Sequence, residues 1–370
     1  MKRWLTIAVL LCCTPCWAWD ERYVSVAGAG LHDGSSEANA WTFAEAMANA
    51  NAGDRVHIKS GSYSTGAVVQ TNGGAPGASV VFVGYNTIIG DLIGARPAKG
   101  KYLDVTGFPV ITMTGAITTK TQTIWHCLSF THALSGNPFI GGYYTTYVEC
   151  RFENTYSGSD TTASATSQSD NQTFIDCDAF MLSNTSAAAY VFGGSRNNYV
   201  YCIATGYGNT ANYGFAFYLS GTAVGCVAID CKLGFFKTIQ GGITVDCSTY
   251  NCERGVSWGN VASADVNLLS YYNSGYGFYG EHGGVSYYSA TQGTSSSYAT
   301  GGDDLYVIGN SPLTADPYTN SATPDMSLND TAGGGAVAQG SGPWGHDAGA
   351  AQNNDGASGG GGTVLIIVED

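Results

Sequence analysis

Short segments of alternating polar and apolar residues recur through the middle of the chain, and each carries a cysteine. They read Trp125-His126-Cys127, Tyr147-Val148-Glu149-Cys150-Arg151-Phe152 and Phe174-Ile175-Asp176-Cys177-Asp178. Tyr199-Val200-Tyr201-Cys202, Ala223-Val224-Gly225-Cys226 and Thr244-Val245-Asp246-Cys247 continue the series. Alternation with period two among β-branched and aromatic residues predicts strands. Successive cysteines lie 23, 27, 25, 24 and 21 residues apart, and recurrence on that scale marks a solenoid. A second column follows in Asp230-Cys231-Lys232-Leu233-Gly234-Phe235 and Asn251-Cys252-Glu253-Arg254-Gly255-Val256. Its Asn or Asp and its Gly fall in matching places, as a stacked tight bend requires.

A turn of this length has one buried side and cannot fold alone. Wound into a coil, each segment pairs in parallel with the next, about 4.8 Å away. The predicted fold class is therefore all-β, a parallel β-helix of roughly ten coils. Strict alternation puts Val148, Cys150 and Phe152 inside and Glu149, Arg151 and Glu153 outside. Cysteine suits the inner position as a small apolar filler, so a ladder of thiols is expected; Cys231 and Cys252 stand near enough for one disulfide. At the N-terminal end, Tyr23-Val24-Ser25-Val26 reads as a strand and residues 40–50 as a capping helix with Asn39 as its N-cap. Gly53-Asp54 then turns the chain into the strand Arg55-Val56-His57-Ile58.

Composition narrows the function. The 370 residues include 52 Gly and 24 Tyr, only 11% are charged, and the formal net charge is −14. That balance argues against a nucleic-acid partner, which needs a basic face. Residues 1–18, with Lys2, Arg3, a short apolar run and Cys16-Trp17-Ala18, read as a secretory signal peptide, so the protein is expected outside the cytoplasm, secreted or at the cell surface. Residues 19–311 form the β-helix domain in this reading. Residues 312–370 form a Gly/Ala/Asn-rich tail ending in Thr363-Val364-Leu365-Ile366-Ile367-Val368, a strand able to pair within the molecule or with another copy.

The opening Tyr23-Val24-Ser25, the helix from Ala40-Trp41, Gly53-Asp54-Arg55-Val56, Gly61-Ser62-Tyr63 and Gly84-Tyr85-Asn86 resemble the start of right-handed parallel β-helix proteins of the pectate-lyase-like (pectin lyase fold) superfamily. The segment Leu305-Tyr306-Val307-Ile308-Gly309-Asn310 fits the end of such coils. The resemblance implies a fold and leaves function open, because that superfamily includes lyases, hydrolases, esterases, phage tailspikes and adhesins. The hydrolase signatures of the family are not met: Asp303-Asp304 stands isolated, and Glu281-His282-Gly283-Gly284 only approaches the pattern.

Candidate chemistry comes from the outward positions. His126, Glu149 and Asp176 each precede a cysteine and so fall in one outward column, with Arg151 and Asp178 in the next. Neighbouring coils would bring Glu149 and Asp176 about 5 Å apart, the spacing of a retaining carboxylate pair, with Ca²⁺ as an alternative occupant. The same residues also read as a solvated salt-bridge ladder. The absence of any C-x-x-C pair argues against zinc. Recurring tyrosines suit sugar rings, with Tyr201, Tyr147 and His126 as carbohydrate contacts, although such rings also stack between coils. Two functions follow: an exported protein that binds polysaccharide, with cleavage as a glycosidase or lyase left open, or a non-catalytic adhesin, surface fibre or tailspike-like shaft self-associating through residues 363–370.

Overall fold

The computed structural model describes residues 19–332 and residue 336, apart from the segments 96–99, 141, 158–162, 167–170, 183–189, 195, 207–213, 238–241, 259–262, 272–275, 281–283, 288–289, 293–297, 301–305, 309–310 and 321–324. The signal peptide and the terminal strand at 363–370 lie outside these residues, as do Glu281, His282, Asp303 and Asp304.

Each coil contributes one strand to each of two long walls. Sheet 1 has twelve strands and begins with Asp20–Val24, Asp54–Lys59, Val80–Tyr85, Thr123–His126 and Thr146–Val148. Sheet 2 has eleven, among them Ser129–His132, Arg151–Asn154, Asp178–Met181 and Ile203–Thr205. A seven-stranded sheet 3, from Ala163–Thr166 to Tyr298–Thr300, closes the later coils, and a short three-stranded sheet does so earlier. Pairing within all of these is parallel. This is the parallel β-helix that the cysteine repeat predicts.

The register explains the repeat and corrects it at one end. Leu128 stands where the later coils place Cys150, Cys177, Cys202, Cys226 and Cys247, and Leu268 follows them, because Arg151, Asp178, Ile203, Val227, Ser248 and Leu269 each bond the carbonyl of the residue one coil back. Five cysteines, not six, form the inner ladder. Cys150, Cys177, Cys202 and Cys247 donate weak hydrogen bonds across one coil to Trp125, Tyr147, Phe174 and Ala223 carbonyls, at 3.4 Å each. Cysteine thus fills the narrow corner and satisfies a buried carbonyl there. None of the eight cysteines 127–252 is joined in a disulfide, Cys231 and Cys252 included. Burial pushes the Cys177 and Cys226 thiols well up, which keeps them protonated and unreactive.

Cys127 falls one position earlier, in the bend itself. Cys127, Glu149, Asp176, Tyr201, Asp246 and Asn267 all take left-handed φ values between 48° and 56°. One such residue between two strands resets the alternation. Tyr147 therefore faces the interior and Val148 the outside, opposite to an unbroken period of two, while Cys150 and Phe152 point inward as expected.

The helix Phe43–Asn49 covers the N-terminal opening with Phe43, Ala46 and Met47 buried. Its N-cap is Thr42 in a capping box with Glu45, not Asn39, whose side chain instead accepts the Leu31 N–H. At the other end the chain does not leave the domain at residue 312. Ser311–Leu313 is the last strand of sheet 2, and the hairpin Tyr318–Asn320 with Asp325–Leu328 folds back with Tyr318 and Leu328 buried.

Candidate functional site

The outward column expected from the sequence is only partly assembled. His126 ends a strand and pairs with Val148, so its neighbour Cys127 shares the bend row with Glu149 and Asp176. The Glu149 side chain reaches back one coil, placing Oε2 3.0 Å from His126 Nε2 and 3.5 Å from Cys127 Sγ. Glu149 is only 8% exposed. Burial pushes its pKa up, but bonds from His126, the Gly94 backbone and Cys127 outweigh this and hold it below the usual carboxylate range. A group held ionised is the reverse of a general acid. Asp176 sits half-buried one coil further on.

Arg151 and Asp178 are committed to structure. They are register partners, and Asp178 is fully buried, accepting the Leu103 N–H at 2.5 Å. Arg151 pairs with Glu153 at 2.5 Å and lays its guanidinium over Phe180, 4.4 Å from the ring centre. Tyr147, at 1% exposure, stacks on Phe174 within the core and cannot touch a surface glycan. Tyr201 is half-buried over Gly225, where a Cβ would come within 2.4 Å of its ring. Only glycine leaves room for that tyrosine.

What covers the column is the insertion at residues 86–108. Asp91 gathers its start by accepting from the backbone N–H groups of Asn86, Thr87 and Ile88 at 2.8 to 3.0 Å, which lowers the Asp91 pKa to about 2. The segment then runs across coils: Leu92 accepts from Cys127, Leu103 donates to Asp178, and Tyr102 Oη lies 2.7 Å from Thr205 Oγ1. Further along, Ile203, Val227, Ile229, Leu269 and Leu313 make the outer face of sheet 2 apolar, and Tyr318 and Leu328 close over them. The first strands of sheet 2 leave Ser62, Ser64 and Thr112 exposed, but from Asp178–Met181 onward sheet 2 is a covered wall.

Sheet 1 is not. Its outward side chains Thr146, Thr173 and Thr222 are half-buried and Asn198 is exposed, in successive coils. A second left-handed row borders its entry edge, formed by Gln122, Tyr144, Asn171 and Arg196. Tyr144 is 62% and Tyr143 53% exposed. Sequence reasoning, which singled out Tyr201, Tyr147 and His126, missed this row, because it exists only once the register stacks Tyr144 between Gln122 and Asn171. The signal was present as Gln122, Tyr144, Asn171 and Arg196, each two places before the aligned residues Ile124, Thr146, Thr173 and Asn198. This wall offers hydroxyl, amide and aromatic groups once per coil, with the bend residues Asp176 and Tyr201 along its exit edge.

Neither a protein-family model nor a curated protein sequence matches the chain. Among solved structures, a rhamnogalacturonan lyase superposes with a TM-score of 0.51 at 12% identity, covering 86% of this chain and 96% of the lyase. Pectate lyase Pel9A gives 0.48 at 16% identity, over 83% and 81% of the two chains. The pectin methylesterase of Aspergillus niger gives 0.37 at 12%, over 85% and 91%.

Proposed function

We propose that this protein binds a neutral polysaccharide along the outer wall of sheet 1 and does not cleave it. Its likeness to the rhamnogalacturonan lyase is one of parallel β-helix fold, so the reading rests on the wall. The observation that carries it is the open face of sheet 1, rimmed by Tyr143 and Tyr144 on one edge and Tyr201 on the other, while sheet 2 is covered in the later coils. Tyrosine presents a flat apolar ring with a hydroxyl tip, matching the C–H faces and hydroxyls of sugars. One rung per coil, about 4.8 Å apart, gives a repeating polymer several registers to occupy. The net charge of −14 disfavours an acidic chain.

Cleavage is left out of the proposal because the expected acid pair has no general acid: Glu149 is ionised and turned toward His126. Export through residues 1–18 and assembly through residues 363–370 belong to the same adhesin-like reading. Affinity electrophoresis against a panel of neutral and acidic glycans tests it. Tyr144→Ala with Tyr201→Ala should weaken retardation by a neutral glycan about tenfold, with no reducing ends or unsaturated products released. Product release by the unaltered protein, or retention indifferent to both substitutions, would overturn it. Size exclusion with and without residues 363–370 tests assembly; an identical monomer in both removes it.

A further inference from the structure

We propose that His126, Cys127 and Glu149 form a binding site for one zinc-like divalent cation, a role separate from the polysaccharide wall. Sequence spacing argued against zinc because it offered no C-x-x-C pair. The fold supplies the ligands differently, two from one coil and one from the next. One nitrogen, one sulfur and one oxygen donor converge here within 4.8 Å of one another.

The distances decide what could sit between them. Zinc bonds of about 2.0 Å to nitrogen and oxygen and about 2.3 Å to sulfur imply tetrahedral edges of about 3.3 Å for N–O and about 3.5 Å for S–O. The His126 Nε2 to Glu149 Oε2 separation is 3.0 Å and the Cys127 Sγ to Glu149 Oε2 separation is 3.5 Å. Closure on a cation therefore asks for movements of a few tenths of an ångström along these two edges. The Leu92 carbonyl oxygen lies 3.4 Å from Sγ and accepts the thiol hydrogen bond.

The surroundings are those of a soft cation. Leu92 and Phe108 pack with Cys127, and Ala95 and Val105 lie against them. The Gly94 backbone bonds Glu149, orienting the carboxylate from outside the ligand set. An all-oxygen shell of six to eight ligands, as Ca²⁺ requires, is not offered. His126, with 21% of its side chain exposed, gives the route of entry.

Loading exchanges the Cys127 S–H bond for an S–metal bond and releases one proton to solvent, and it requires the Nε2 lone pair of His126 to face the cation.

The test titrates the full chain, stripped with a chelator, with Co²⁺ and then displaces it with Zn²⁺. One equivalent of Co²⁺ per chain with a thiolate-to-cobalt charge-transfer band, abolished by Zn²⁺, is the expected result. Cys127→Ser should remove the band and Cys231→Ser should leave it. His126→Gln, at a partly exposed position, should weaken binding at least about tenfold and serves where Cys127→Ser fails to fold. A folded protein showing no band, a band that survives Cys127→Ser, or a preference for Ca²⁺ over Zn²⁺ would each overturn the proposal.

Discussion

One row of inward side chains on sheet 1 changes character halfway along the molecule. In the earlier coils it runs Phe82, Trp125, Tyr147, Phe174 and Tyr199, one residue per coil. Their rings stack at centroid separations of 4.3 Å for Phe82–Trp125, 4.8 Å for Tyr147–Phe174 and 5.4 Å for Phe174–Tyr199. In the later coils the same row continues as Ala223, Thr244 and Asp265. There Lys237 of sheet 3 crosses the interior to Asp265 at 2.6 Å, with both side chains fully buried. Lys237 also donates to the Ala264 carbonyl at 2.5 Å, and the Thr244 hydroxyl donates to the same Asp265 oxygen. The first half is held by area and ring contact, and the second half depends on a charge pair whose desolvation cost is large. Aromatic stacking tolerates a one-coil shift of register, since like would still meet like; a Lys–Asp pair does not.

That contrast can be broken most sharply at Lys237. Lys237→Met leaves Asp265 buried and unpaired, and urea unfolding should show a loss of about 3 to 5 kcal/mol. Adding Asp265→Asn should restore much of it; a single variant as stable as the original protein would show that the pair contributes nothing.

The earlier half also buries a titratable group, but as a neutral one. His132 accepts the Leu134 N–H at Nδ1 (3.4 Å) and meets the Ser164 carbonyl through Nε2 (3.2 Å), an arrangement that suits the uncharged ring with its proton on Nε2. Burial lowers its pKa from 6.5 to about 4. Because the folded value lies below the unfolded one, the unfolded chain binds more protons between these limits. The contribution is complete above pH 6.5 and is lost as pH falls toward 4, about 3 kcal/mol in all. Urea midpoints at pH 7 and pH 4 check this, and His132→Gln should flatten the decline; an equal decline in both proteins would count against it.

The smallest effect has the opposite sign. The Tyr147 hydroxyl is buried and has no hydrogen-bond partner among the described residues. Tyr147→Phe keeps the stack, removes an unsatisfied group and should stabilise by about 1 kcal/mol, read as a higher urea midpoint. A loss of stability would mean that the hydroxyl is satisfied in solution.

The cysteine spacing made the coil and the inner ladder legible because a solenoid writes its period directly into the chain. It misled by one residue at Cys127, since a thiol one place early looks the same in a spacing count as one in the ladder. The alternation failed at Tyr147 and Val148 for a related reason: a left-handed bend residue consumes one position without a strand's change of face. The covering of sheet 2 was not legible at all. Leu103 meets Asp178 across 75 residues of sequence and Tyr102 meets Thr205 across 103, and nothing local in 86–108 announces those partners. The outward acidic column expected from the sequence is offset, because His126 pairs with Val148 while Cys127 shares the row of Glu149 and Asp176, and Glu149 is buried rather than exposed. Lys237 and Asp265 belong to different sheets, and only the closed cross-section brings them together.

Two of the corners described are built alike, each from left-handed residues stacked coil on coil, as Asn267 Nδ2 rests 2.6 Å from Asp246 Oδ1 and Asn251 Nδ2 equally close to Asp230 Oδ1. Duplicating one whole winding would reproduce every junction it needs and disturb none beyond its two flanks. Inserting a single amino acid would throw every rung that follows out of step. The length of the sheet 1 wall can therefore grow or shrink in increments of about 4.8 Å, without a change in the side chains of any one rung.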